Sequence, residues 1–316
     1  MAGHTEGGAG ALPGRKLLKL LPLGVSQVPR HSDLHAEQNS PPGVAAFVTQ
    51  CLKEATEEDF SSFHKMGEAR ENVDTDGKKH PIVIEKLKKK DDVEGTWFAR
   101  RSLHEEVSYE ELDEVLRKDH ERNEMEYTPA IYDVNTLLEW HVDEEIEGVR
   151  DVNIRITQMH HSMPAPALLN DRVFTVLLVS FIPTRPVSGT LSQSIDLQLP
   201  VDLSTFPPAV REQSHVQVVN AKHIYKSPES GTAFQKKQDG RKIVEGRYVS
   251  LEKIAKVEKD GKMVSKWEMT TNSDAEGSLP LGVQKLGVPG AIVKDVPLAI
   301  KHIINNRPQE RGMNGE

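Results

Sequence analysis

GSLPLGVQKLGVPGAIVKDVPLAIKHIINN (277–306) places apolar residues at Leu286, Ile292, Val293, Val296, Ile300, Ile303 and Ile304, a spacing close to the helical period. It predicts an amphipathic helix of some twenty residues, broken near 287–289 and bent or restarted around Pro297, where a backbone amide is missing. The chain just before it follows a different period. KIAKVEKDGKMVSKWEM (253–269) alternates on both sides of Asp260 and Gly261, which supply hairpin-turn chemistry. Alternating segments also fit at 192–199, 216–225, 246–257 and 263–271.

Further upstream, LNDRVFTVLLVSF (169–181) is apolar on both strand faces. Val173, Thr175, Leu177 and Val179 share one face, and Phe174, Val176, Leu178 and Ser180 share the other. Such a strand is covered on both sides, by a cavity or gripping helix on one and by further structure on the other. The natural cover is the helix predicted in SPPGVAAFVTQCLKEA (40–55), with Ser40 as N-cap and Phe47, Cys51, Leu52 and Ala55 as its buried stripe.

Between these landmarks, ENVDTDGKKH (71–80) and EKLKKKDDVEG (85–95) read as a charged, turn-rich connection. GTWFARRSLHE (95–105) predicts a strand, and Ser108 with Glu111 forms a capping box that opens a short helix. Residues 131–140 fit a helix or a strand, whereas Val152, Ile154 and Ile156 alternate cleanly. Successive strands without intervening helices exclude a doubly wound parallel sheet. The expected class is α+β: a curved antiparallel sheet around the long C-terminal helix, with the gap between them an apolar cavity. The implied organisation is an irregular segment 1–39, a helical extension and charged linker 40–94, a main domain 95–305 and a disordered polar tail 306–316.

Composition narrows the function. The chain has 316 residues, 37% of them hydrophobic, and a formal charge of -8. It contains no run of apolar residues long enough for a membrane span, and its opening LLKLL is too short for a secretory signal. A cytoplasmic protein, peripheral at membranes, is expected. The single Cys51 rules out an internal disulfide. Positions 105–151 carry seventeen carboxylates against four Lys or Arg, while 222–266 carry twelve Lys or Arg against six carboxylates. That polarity suits solubility or transient contact with an anionic membrane surface. Nucleic-acid motifs are missing, so no such partner is expected.

Signatures of nucleotide sites, metalloproteases and serine nucleophile elbows are absent. HHSMP (160–164) offers His160 and His161, but adjacent strand residues point to opposite faces, so no metal site is expected. Charges set in apolar strands carry more information: Arg155, Asp196 and Glu268. Each faces solvent or, if its face lines a cavity, needs a partner or a guest. Arg172 with Asp196 and Arg155 with Glu268 are the pairs considered.

The segments WFARRSLH (97–104), HERNEMEYTP (120–129), Trp140 with GVRDVNIRITQM (148–159), MPAPALLNDRVFTVLLV (163–179) and 277–303 together resemble a fungal family of START-like proteins of unknown function, DUF3074-like, within the START / Bet v 1-like helix-grip superfamily. The likeness covers roughly 95–305. It implies a curved sheet gripping a C-terminal helix around a hydrophobic ligand. Gly277, Ser278 and Pro280 keep the usual approach to that helix. In START proteins the strand opens with an Arg-Asp pair, but here Arg172 is followed by Val173.

The expected function is binding, with transfer, of a lipid or other hydrophobic small molecule, without a cofactor. The candidate contacts are Arg172, Arg155, Asp196, His161, Trp97, Phe174, Leu178, Trp267, Leu286, Ile292 and Val296. One alternative is a cyclase or isomerase using Arg172, His161 or Asp196; another is a structural or protein-interaction module.

Overall fold

A computed structural model describes residues 16–34, 41–75, 78–89, 95–163, 169–185, 189–277 and 281–308, the side chains of 281–286 excepted. Helix α1 (Val44–Glu57) precedes strands β1 (His64–Thr75), β2 (Lys78–Lys88) and β3 (Phe98–His104). Helices α2 (Tyr109–Leu116) and α3 (His120–Tyr127) follow, then β4 (Ile131–Trp140), β5 (Val149–His161), β6 (Asp171–Pro183) and β7 (Ser192–Pro200). Short elements come next: α4 (Pro208–Arg211), β8 (Val216–Val219), β9 (Lys222–Tyr225) and α5 (Ala233–Gln238). The chain closes with β10 (Ile243–Lys259), β11 (Lys262–Asp274) and α6 (Leu281–Asn305).

Nine strands form one sheet in the order β1-β2-β3-β11-β10-β7-β6-β5-β4, and β8 and β9 pair separately. Neighbours run antiparallel, apart from a short parallel pairing of Ile243–Gly246 with Asp171–Phe174, beside the point where β7 ends. Asp260 and Gly261 close the β10–β11 hairpin with φ of 52° and 76°, the left-handed geometry that two-residue turn requires.

The two faces of the sheet have different covers. Leu177, Val179 and Phe181 of β6, Ile154 and Ile156 of β5 and Leu197 and Leu199 of β7 pack with Phe47, Val48, Cys51 and Ala55 of α1. The cover expected over one face of β6 is therefore α1. Leu17, Leu18, Leu23 and Val28 join the same core, so residues 16–34 form a strap packed against it. The Glu54 carboxylate holds it by accepting the backbone N–H groups of Leu17 and Leu18 at 2.8–2.9 Å.

On the concave face, the second half of α6 is anchored through Val293, Val296, Ala299, Ile300, Ile303 and Ile304. These pack against Val73, Ile82 and Ile84 of the β1–β2 hairpin and against Leu112 and Leu116 of α2.

Several expectations need correction. Residues 64–88 are a strand pair that extends the sheet, not a charged linker; Ile82 and Ile84 point under α6 while the charged residues face outward. Helix α6 runs unbroken past Pro289 and Pro297. Each proline forfeits one backbone hydrogen bond, and the packing of Val296, Ala299 and Ile300 carries the helix through. Residues 131–140, which by sequence fit a helix or a strand, are a strand. Helix α1 starts at Val44 behind Gly43, and the proposed N-cap Ser40 lies outside the described residues, as does the tail from 309.

Candidate functional site

Because α6 is anchored by its second half, its first half stands off the concave face, and a cavity of about 230 Å³ lies beneath it. Alternation brings Met159 and His161 of β5, Phe174 of β6, Gln198 of β7, Tyr248 and Glu252 of β10, and Trp267, Met269, Thr271 and Ser273 of β11 to its wall. Arg100 of β3, Tyr127, His120 and Glu124 of α3, and Val288, Ala291, Ile292 and Asp295 of α6 complete it.

One wall is aromatic. The Phe174 ring meets His161 and Tyr248 edge-on, each at 5.2 Å between centroids. Gly246 makes room for it: a Cβ there would stand 2.4 Å from Phe174 Cε1. Gly246→Val should therefore drive the Phe174 ring into the cavity, costing about 1–3 kcal/mol of stability and cutting guest uptake more than tenfold, roughly the effect of 1.4 kcal/mol in binding. Urea unfolding and titration with a fluorescent guest read the two effects separately; unchanged uptake would mean that Phe174 does not shape the guest space.

The opposite wall is charged. Arg100 is 1% exposed. Its guanidinium lies 3.8 Å from the centre of the Trp267 ring and 3.8 Å, at Nη2, from Glu252 Oε2. Trp267 Nε1 donates to the same carboxylate at 2.7 Å. Arg100 Nε and Nη1 have no hydrogen-bond partner among the described residues.

His120 Nδ1 donates to the Leu116 carbonyl at 2.5 Å. The ring also lies 3.4 Å from Asp196 and 3.5 Å from Glu124, and Gln198 is 3.0 Å from Nε2. Burial opposes the imidazolium, but Asp196 and Glu124 hold His120 well above its ordinary range. Burial pushes Asp196 up to about 8 and, with Glu124 and Glu252 adding to it, Asp295 up to about 7. His161 is lowered by burial.

Of the residues expected from the sequence, His161, Phe174, Trp267 and Ile292 meet at this cavity. The others do not line it. Arg172 donates to the carbonyls of Asn170, Ala275 and Glu276 and so clasps the approach to α6; it is not paired with Asp196, which faces His120. Arg155 Nε lies 2.7 Å from Glu121 and borders a separate polar recess with Asn153 and Ser180. Glu268 instead pairs with Arg101 at 2.6 Å and Lys266 at 2.9 Å. Trp97 belongs to the core on the convex face, and Val296 packs in the α6 anchor. Leu178 shares the Phe174 face of β6 and is fully buried without reaching the cavity. The side chain of Leu286 lies outside the described residues. Arg100, Glu252, His120, Glu124, Tyr248 and Asp295 were not expected, although Arg100 and Glu252 carry the mark that singled out Asp196, a charge set in a buried strand. No group of His, Cys, Asp or Glu among the described residues is arranged to hold a metal ion.

Residues 97–303 match the family described as Protein of unknown function (DUF3074). The chain belongs to the DUF3074 family. This chain has a helix-grip fold, a curved antiparallel sheet packed against a long C-terminal helix. Human STARD10 is similar with a TM-score of 0.52 at 13% identity, over 86% of this chain and 84% of that one. Human StAR-related lipid transfer protein 5 gives 0.48 at 12% identity, over 83% of this chain and 97% of that one. No curated protein matches this DUF3074 chain. At 13% identity the likeness to human STARD10 speaks for the fold, and this chain's own cavity must carry the function. No helix among the described residues is long and apolar enough to cross a membrane.

Proposed function

We propose that the protein binds, and carries between membranes, an apolar small molecule with an uncharged polar end, a hydroxyl or carbonyl group that docks on Arg100. The observation that supports this is the buried Arg100 guanidinium, two of whose nitrogens have no hydrogen-bond partner among the described residues, at the lining of a cavity that also presents aromatic and Met side chains. A buried donor without a partner costs about 1–3 kcal/mol, more when it is charged, and a guest's oxygen recovers that cost. Arg100 already faces Glu252, and His120 faces Glu124 and Asp196, so the wall holds its charges in opposed sets and favours a neutral polar end.

The cavity, about 230 Å³, exceeds the ~150 Å³ that accommodates benzene and falls below the ~300–1,000 Å³ of drug-sized sites. It holds the polar end and a ring-sized part of a guest, and a longer guest requires the first half of α6 to lift. Lipids and sterols are the chemical class in view, met by a cytoplasmic protein that visits membranes transiently. The gap beneath α6 weighs against a purely structural module.

Native mass spectrometry of freshly purified protein, with organic extraction, tests the reading. A retained apolar compound bearing hydroxyl or carbonyl oxygen is expected. Absence of any retained mass, together with no uptake from a panel of sterols, long-chain alcohols and ketones, would overturn it.

A second reading has its own observation. Asp295 lines the cavity with its carboxyl pushed up to about 7, the range suited to a general acid or base, and Arg100 could stabilise an enolate oxygen beside it. An isomerase acting on a bound carbonyl compound would use that pair. Asp295→Asn separates the readings: the carrier keeps its guest and the cellular metabolite profile is unchanged, whereas an isomerase accumulates its substrate.

A further inference from the structure

Residues 201–242 leave the sheet at the end of β7 and return at the start of β10. That is the end where Gln198, Phe174, Tyr248 and Ser273 line the cavity. Inside this excursion, β8 and β9 form a hairpin whose turn residues Asn220 and Ala221 both have positive φ, 49° and 58°, so its tip has a defined shape. The tip is apolar and open: Val218 is 67% exposed and Val219 49%. Phe234 of α5, 44% exposed, lies 5.9 Å from Tyr132, in the small core of Tyr132, Val173, Tyr225 and Ile243 against which Val216 of the hairpin also packs. Hairpin and α5 are thus two parts of one platform.

Cations surround these apolar groups. Six Lys or Arg stand against two carboxylates between positions 214 and 244, in a chain whose net charge is -8. Lys226 spends its charge on Asp239 at 3.6 Å and Arg241 faces Asp171 at 3.8 Å. Lys222, Lys237 and Lys242 are exposed and have no carboxylate partner among the described residues.

We infer that this platform docks the protein on an anionic lipid surface, with Val218, Val219 and Phe234 entering the headgroup layer and Lys222, Lys237 and Lys242 bound to the lipid charge. Exposed apolar side chains rimmed by lysine fit an interface that is oily within and negative at its surface. A soluble acidic partner would neutralise the lysines and leave the valine tip in water. Docking this way sets the Phe174–Ser273 end of the cavity toward the bilayer. The inference deepens the carrier reading and rests on it for its purpose, but the two can fail separately.

Cosedimentation with phosphatidylcholine vesicles, with and without about one-third phosphatidylserine, provides the test. Binding is expected only to the anionic vesicles, and it should weaken as salt is added. Each lysine near the surface is worth about fivefold in affinity, so the combined Lys222→Ala, Lys237→Ala and Lys242→Ala variant should bind on the order of 100-fold more weakly. Val218→Asp with Val219→Asp should abolish binding. Val218→Trp should gain emission that brominated lipid quenches. Since all these side chains are exposed, thermal unfolding should not change and confirms that each variant is folded. Equal binding to both vesicle types, wild-type binding by the lysine variant, or capture of polyglutamate with vesicles ignored would overturn the inference. A protein that holds no guest yet binds anionic vesicles would sink the carrier reading and leave the docking surface standing.

Discussion

Replacing Arg100 with Met is expected to lower the free energy of unfolding by about 3–5 kcal/mol and to empty the cavity. The guanidinium is almost fully buried, stacked on Trp267 and 3.8 Å from Glu252. Without it, Glu252 keeps the Trp267 N–H but loses the nearest positive charge, while Glu124 and Asp295 line the same cavity. Removing one member of a buried ion pair costs more than removing both, because the survivor is left charged and uncompensated. The Arg100→Met, Glu252→Gln double variant should therefore recover most of the lost stability in urea unfolding. It should not recover the guest, since the two donor groups are gone. A double variant as unstable as the single would show that the charges are not coupled; one that still retains its guest in native mass spectrometry would show that Arg100 is not the anchor.

The fold was legible where residues signal through their neighbours in sequence. Asp260 and Gly261 turn one alternating arm into another, Ser108 and Glu111 form both bonds of their capping box, and the change to a helical period at 281 separates sheet from gripping helix. The β1–β2 hairpin was lost because it is an edge. Most of its outward positions are charged or polar, as edge strands require, with Met66 and Val83 exposed among them, and Val73, Ile82 and Ile84 show that its other face packs under α6.

The site was legible in part, for a similar reason. Alternation tells which residues share a face, not whether that face looks at water or at a cavity. Arg100, Glu252 and Asp196 come from three strands far apart in the chain, and each alone is indistinguishable from a solvated charge. Arg172 misled in the opposite direction. Its partners are main-chain carbonyls at 170, 275 and 276, and no side-chain pattern announces a carbonyl.

Raising the pH from about 4 to about 8 is expected to destabilise the protein through Asp196, whose carboxyl burial pushes to about 8 against ~3.9 in an unfolded chain. It is 2% exposed, and neither oxygen has a hydrogen-bond partner among the described residues. His120 at 3.4 Å is the nearest basic group; Arg155 favours the anion, while Glu252 and Glu121 oppose it. Below the unfolded value both states carry the proton, and the folded protein keeps the whole of this contribution. Between the two values the unfolded chain releases the proton and the folded one retains it, so stability falls with rising pH, by at most about 1.4 kcal/mol per pH unit. Asp295, also raised in the folded state, acts with the same sign. Glu124, held low by His120 against the pull of burial, acts with the opposite sign at the acidic end of the window. Asp196→Asn should flatten the decline and leave the protein more stable than wild type at neutral pH, since His120 keeps Glu124 as its counter-charge at 3.5 Å. Denaturation midpoints across the window decide the matter. Stability that rises with pH in the wild type, or an equal slope in the variant, would mean that Asp196 folds as an anion and that His120 holds it there.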